Sequence, residues 1–120
     1  MVQPESVLKV CDNTGANALK VITVFGRKRF AKLGDVVSGS VRGVSGRATV
    51  ADHSVVHAVV VRARKENRRD DGSYIRFDDN ACVIVDKKQL PIGTRVFGPV
   101  AREVREAGFT EVAAMAQEIV

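Results

Sequence analysis

Val60-Val-Arg-Ala-Arg-Lys-Glu-Asn-Arg-Arg-Asp-Asp-Gly-Ser-Tyr-Ile-Arg-Phe-Asp-Asp-Asn-Ala-Cys-Val-Ile-Val85 decides how this chain reads. Two apolar, β-branched runs flank a loop packed with arginine. No catalytic or metal-ligand spacing sits inside it. The combination describes a β scaffold that holds guanidinium groups out to a polyanion.

Working outward, short strands alternate with turns. Val7 to Cys11 opens a strand that ends at the turn Asp12-Asn-Thr-Gly15. Leu19 to Phe25 is apolar at both parities, which predicts a central strand covered on both faces. Gly26-Arg-Lys-Arg29 is a basic turn. Val36 to Val44 is a long strand whose interior glycines, Gly39 and Gly43, mark a bulge or a close backbone approach. Ser45-Gly46 predicts a hairpin turn with Arg47 to Val50 returning. Val55 to Arg64 is the strongest strand, and Tyr74 to Phe77 and Ala81 to Val85 follow the charged loop. After Pro91 the pattern changes. Val100 to Ala107 predicts a short helix stopped by Gly108. Phe109, Val112, Ala113 and Ala116 then fall at helical spacing, with Thr110 or Gly108 near the cap and Glu111 in the first turn. The apolar face of that helix is expected to pack on a small closed barrel. A barrel removes exposed edges in a chain so rich in valine.

The whole chain, residues 1–120, is one domain by size. Hydrophobic residues make up 45% and aromatics only 5%, so the core is Val, Ile, Leu and Ala. Cys11 and Cys82 lie far apart in apolar runs and read as buried free thiols of a reducing compartment. Met1 to Ser6 has neither the h-region of a signal peptide nor the Arg/Ser-rich character of a transit peptide. No apolar run approaches the ~20 residues of a membrane span.

Charge carries more. The net charge is +5, but the span from Lys20 to Arg76 holds thirteen basic and five acidic residues, +8 against −3 for the rest. The basic set is Lys20, Arg27, Lys28, Arg29, Lys32, Arg42, Arg47, Arg62, Arg64, Lys65, Arg68, Arg69 and Arg76. Segregation of this kind points to a polyanion at one part of the molecule, nucleic acid before an anionic membrane. Arginine outnumbers lysine twelve to seven, as suits bidentate phosphate contact. Phe30 and Tyr74 interleave with the charges and are candidates for stacking on bases or ribose.

Rival chemistries have little support. His53 and His57, four apart, would share a strand face, and with Cys11 or Cys82 they suggest zinc, but no ligand spacing such as paired C-x-x-C is present. Asp78-Asp79 are adjacent, so in a strand they would point apart. With Asn80 they read as a turn. Gly43-Val-Ser-Gly-Arg47 resembles a phosphate loop only faintly, and a hairpin tip is the simpler reading. No nucleophile elbow, P-loop or dinucleotide fingerprint occurs. The residues alone therefore describe an RNA-binding β-barrel with no metal, cofactor or catalysis. A free single-strand RNA binder or translation factor is the rival class, and an enzyme is the third.

Asp12-Asn-Thr-Gly-Ala16, Gly34-Asp-Val-Val37, Ala58-Val-Val-Val-Arg62, Arg68 to Ala81 and Pro91 to Arg105 together resemble the universal ribosomal protein family numbered fourteen in the large subunit, in its bacterial and organellar branch. The resemblance runs nearly end to end. It implies a mainly β fold: a small five-stranded OB-like barrel over about residues 1–99, a projecting β-ribbon over about 36–60, and two short C-terminal helices over about 100–120. It implies a non-catalytic structural constituent of the large subunit that binds large-subunit rRNA. It also implies bridges to small-subunit rRNA at the subunit interface and a neighbour in large-subunit protein nineteen. A ribosomal silencing factor docks on the C-terminal surface of many members, which here carries Thr94, Arg95, Arg102 and Arg105. The family's Gly-Thr-Arg motif stands at Gly93, Thr94 and Arg95.

The chain departs from the family pattern in three places. A lysine-rich return strand on the ribbon is here Thr49-Val-Ala-Asp-His-Ser54, which implies weakened or re-routed rRNA contact. A residue that is commonly basic is Glu111, and a C-terminal proline is Gln117, and both weigh against silencing-factor docking. Such drift suits a mitochondrial or other organellar ribosome, with a bacterial cytoplasmic one as the alternative.

Overall fold

A strand apolar at every position, such as Ala81–Val85, would invite aggregation at an open sheet edge, and here the sheet closes. The computed structural model describes residues 2–26 and 29–120. Strands β1 (Val7–Val10), β2 (Ala16–Val24), β3 (Val36–Val44), β4 (Val55–Arg62) and β7 (Ala81–Val85) form a closed barrel in the order β1-β2-β3-β4-β7. Neighbours are antiparallel except β1 and β7, which run parallel, with Val10 opposite Cys82. Two minor pairs lie outside: β5 (Asn67–Arg68) with β6 (Tyr74–Ile75), and β8 (Pro99–Val100) with β9 (Glu118–Ile119). Helices α1 (Arg102–Glu106) and α2 (Thr110–Met115) stand between β8 and β9.

The barrel is filled by one parity of its strands, including Leu8, Leu19, Val21, Val37, Val41, Val60, Cys82 and Ile84. The other parity of β4 and β7 (Val59, Val61, Ala81, Val83 and Val85) meets Val100, Val104, Phe109 and Val112 in a second core. All five residues of β7 are buried for this reason, and its continuous apolar run is that of a strand covered on both faces. The helix face read from the spacing of Phe109, Val112 and Ala113 is the one that covers it. Full burial of each such valine is worth roughly 1.5–3 kcal/mol.

The bounds of β3 and β7 agree with the sequence reading. Gly39 marks a close approach: a Cβ there would stand 2.6 Å from the Lys20 carbonyl oxygen. Other expectations need correction. β2 is not apolar on both faces. The register shifts between Val21 and Thr23, which leaves Ile22 half exposed instead of covered. Arg47 to Val50 does not return as a strand. The Ser45 and Thr49 amides donate to the carbonyls of Gly15 and Thr14, so this segment folds onto the β1–β2 turn, and β4 is the partner of β3 only over Val36–Ser40. Tyr74 to Phe77 shortens to Tyr74–Ile75, because the Phe77 amide leaves the ladder to donate to Ala63. Both helices are shorter than expected, and Phe109 occupies the N-cap of α2.

Candidate nucleic-acid interface

Arginines that look alike in sequence divide into two groups in space. Arg62 is 6% exposed. Its Nε and Nη2 donate to the two carboxylate oxygens of Asp79 at 2.9 and 3.3 Å. Its Nη1 donates to the carbonyls of Phe97 and Pro99 at 2.9 and 3.2 Å. Gly98 between them sits at φ 80°, and a Cβ there would fall 2.4 Å from Nη1, so the backbone wraps closely around the guanidinium. Arg69 is likewise engaged. Its Nη2 donates to Glu103 Oε1 at 2.9 Å and to the Val120 carbonyl, which ties the charged loop to α1 and to the end of the chain. Asn67 Nδ2 donates to the same carboxylate at 2.6 Å. Arg64 Nε donates to the Asp78 carbonyl at 2.8 Å, while its backbone amide donates to Asn80. Among the described residues, Asp70 and Asp71, adjacent to Arg69 in sequence, make no hydrogen bond or ion pair to it. Asp71 accepts from the hydroxyl and amide of Ser73, and these bonds lower its pKa.

The second group is presented outward. Lys32, Lys65 and Arg68 are exposed, and among the described residues none of their side chains has a hydrogen-bonding partner. They come from both sequence clusters and meet around one groove of about 330 Å³, lined also by Ala31, Leu33, Ala63, Glu66 and Asn67. The meeting is forced by the backbone: the Gly34 amide donates to the Val60 carbonyl, which sets the 29–35 loop against the end of β4. Arg76 is exposed beside a second hollow with Phe77, Asp78 and Pro99.

A separate basic surface lies on the outer wall of β1–β3. Ala18 pairs with Lys9 on one side and Arg42 on the other, and Lys20 is one outward position along. Directly opposed residues leave the same face, so Lys9, Lys20 and Arg42 share it. Lys9 was not among the candidates, because its role appears only once the strand register places it there. Lys20 is shared with Glu5 at 3.4 Å, and Arg42 Nη1 lies 3.5 Å from His53 Nδ1. Arg47 is exposed in the ribbon. Arg29 lies over the Phe30 ring at 5.6 Å, so one face of that ring is taken, whereas Tyr74 is 63% exposed. Arg27 and Lys28 lie outside the described residues.

The Gly-Thr-Arg motif is stapled to the first turn. Asn13 Oδ1 accepts from the amides of Thr94 and Arg95 at 2.7 and 3.0 Å, and Asn13 Nδ2 donates to Thr94 Oγ1 at 2.7 Å. Arg95 stays exposed beside the exposed Ile92 and Phe97. Arg102 and Arg105 lie on α1, the first half-buried and the second exposed, and Gln117 accepts from the Gly98 amide at 3.3 Å. His53 and His57 do not share a face. His53 sits in a turn at φ 62°, while His57 on β4 meets Phe25 edge to face at 5.0 Å. Cys11 and Cys82 are free and buried, and they belong to different cores. Burial pushes the Cys11 thiol up to about 11 and raises that of Cys82 well above its ordinary value.

Over residues 1–120 the sequence matches the family described as ribosomal protein L14p/L23e. The chain belongs to that family. It is 54% identical over 121 residues to the large ribosomal subunit protein uL14 of Petrotoga mobilis (strain DSM 10674 / SJ95), covering 99% of each chain. Membership of the L14p/L23e family makes the protein a non-enzymatic structural constituent of the large ribosomal subunit. The relative is bacterial, so the drift in the ribbon gives no support to the organellar origin expected from it.

Proposed function

We propose that this member of the L14p/L23e family binds large-subunit rRNA through the cations its fold leaves unpaired, and that it contributes bridges to small-subunit rRNA at the subunit interface. The observation that carries this is the groove where Lys32, Lys65 and Arg68 converge on a scaffold braced from behind by Arg62 and Arg69. The backbone that carries these cations is already ordered, so binding costs only the side-chain freedom of each, and every phosphate contact releases counterions. The outer wall of β1–β3, with Lys9, Lys20 and Arg42, supplies a second RNA surface. The stapled Thr94 and Arg95 turn, with Arg102 and Arg105 on α1, is the surface for large-subunit protein nineteen and for a silencing factor. Glu111 is exposed on α2, and Gln117, also exposed, stands where the family pattern has a proline and accepts from the Gly98 amide; both changes weaken the fit to such a factor.

The test is sucrose-gradient sedimentation of lysate at high salt, probing for this chain. Stoichiometric retention on the large subunit is expected. Release to the top of the gradient would mean an exchangeable single-strand RNA binder and would overturn the reading.

A further inference from the structure

The groove between residues 31–33 and 63–68 joins two properties that seldom meet on a surface. Ala31, Leu33 and Ala63, each no more than 8% exposed, form an apolar floor. Lys32, Lys65 and Arg68 stand around them with one carboxylate, Glu66. A bare phosphate gains nothing from an apolar floor, and an apolar ligand gains nothing from three cations. A nucleotide carries both a flat base and flanking anions. A paired duplex keeps its base faces inside, so only an unstacked nucleotide can offer one. Tyr74 adds an independent observation. It lies directly opposite Arg68 in the β5–β6 pair, leaves the same face, and is 63% exposed. Its ring supplies a stacking surface for the adjoining base.

We infer that this groove holds one unstacked nucleotide of large-subunit rRNA, its base on the Ala31–Leu33–Ala63 floor and its phosphates on Lys32, Lys65 and Arg68, with the next base against Tyr74. The inference rests on the rRNA-binding reading above and specifies the form the RNA takes there.

Short-wave ultraviolet cross-linking of intact large subunits containing this chain, followed by mass spectrometry of peptide–nucleotide adducts, tests it. A zero-length photoadduct needs a base in van der Waals contact and does not arise from phosphate contact alone. Adducts are expected within residues 30–33 or 63–68 and on Tyr74. In subunits carrying Lys65→Ala with Arg68→Ala they are expected to fall several-fold relative to adducts elsewhere on the chain. Adducts confined to other surfaces, or none at all, on a chain that still co-sediments would overturn the groove and leave rRNA binding standing. A carboxyl-to-amine coupling reagent that links Lys32 or Lys65 to an acidic peptide would overturn it in favour of a protein occupant. Absence of the chain from the subunit would overturn both readings.

Discussion

Replacing Asp79 by alanine is expected to destabilise this protein far beyond the loss of an ordinary surface carboxylate. The Arg62 side chain is 7% exposed and that of Asp79 33%, and they are joined by two parallel hydrogen bonds. Without Asp79 the buried cation keeps only the neutral carbonyls of Phe97 and Pro99. Breaking a buried pair in this way costs roughly 3–5 kcal/mol, and the partial exposure of Asp79 reduces that to ~2–4 kcal/mol. With a urea dependence of ~1.5 kcal/mol per molar for a domain of this size, the midpoint should drop by ~1.3–2.7 M. The assay is equilibrium urea unfolding followed by far-ultraviolet circular dichroism, run also on Arg62→Met and on Arg62→Met with Asp79→Leu. Arg62→Met leaves two carbonyls and a carboxylate without their donor, so it too should be costly. The double variant should lose at least ~1 kcal/mol less than the two single losses added, because each single change strands the other partner. A midpoint shift below ~0.3 M for Asp79→Ala, or strict additivity, would refute the claim that this pair locks the segment 97–99 to the barrel.

Three further outcomes follow from the same geometry. Arg69→Ala should cost ~1–3 kcal/mol and speed hydrogen exchange in α1, because it releases Glu103 and the Val120 carbonyl, whereas Arg68→Ala should cost under ~0.5 kcal/mol; urea titration and exchange mass spectrometry separate them. Each of Lys32→Ala, Lys65→Ala and Arg68→Ala should flatten the salt dependence of binding to single-stranded rRNA by ~0.7 in log–log slope, while Arg62→Met should leave it unchanged. The Cys11 thiol rises in the fold from 9.0 to about 11, so the unfolded chain loses its proton first. Stability is therefore whole below pH 9, declines as pH rises from 9 through about 11, and should decline less in Cys11→Ala; urea midpoints at graded pH give the slope.

Much of the barrel was legible because its strands are punctuated by side chains that cannot continue them. Gly34-Asp35 precedes β3, and Asp78-Asp79-Asn80 precedes β7, so their limits are visible locally. The errors arose where distant backbone intervened. Ile22 is exposed because a bulge resets the alternation, and Ser45 and Thr49, on either side of Gly46, bond to Gly15 and Thr14, thirty or more residues away, instead of to a neighbouring strand. The division among arginines was hidden for the same reason. Arg62 and Arg64 differ only in what lies opposite, and the carboxylates that claim Arg62 and Arg69 are 17 and 34 residues distant. The signal for Lys9 was present in the alternation Val7-Leu8-Lys9-Val10, but only the register with Ala18 and Arg42 gives it companions.

Asp52 shows how one acid redirects a surface. It stands in the ribbon stretch where the family pattern is rich in lysine, and its Oδ1 accepts from the amides of Gly43 and His53 at 2.9 and 3.0 Å. Those bonds hold His53 at φ 62° and close the ribbon on itself. A phosphate approaching the Gly43 amide would meet a carboxylate already bonded there, so backbone capture of RNA at this point is opposed by both charge and occupancy. The basic residues left on the ribbon are Arg42 and Arg47, which both precede Asp52 and do not replace the lysines of the return stretch. Contact between ribbon and rRNA should therefore move toward those two arginines and away from residues 49–54. A subunit structure with rRNA phosphates ordered against residues 49–54 would show that the acid did not redirect the ribbon.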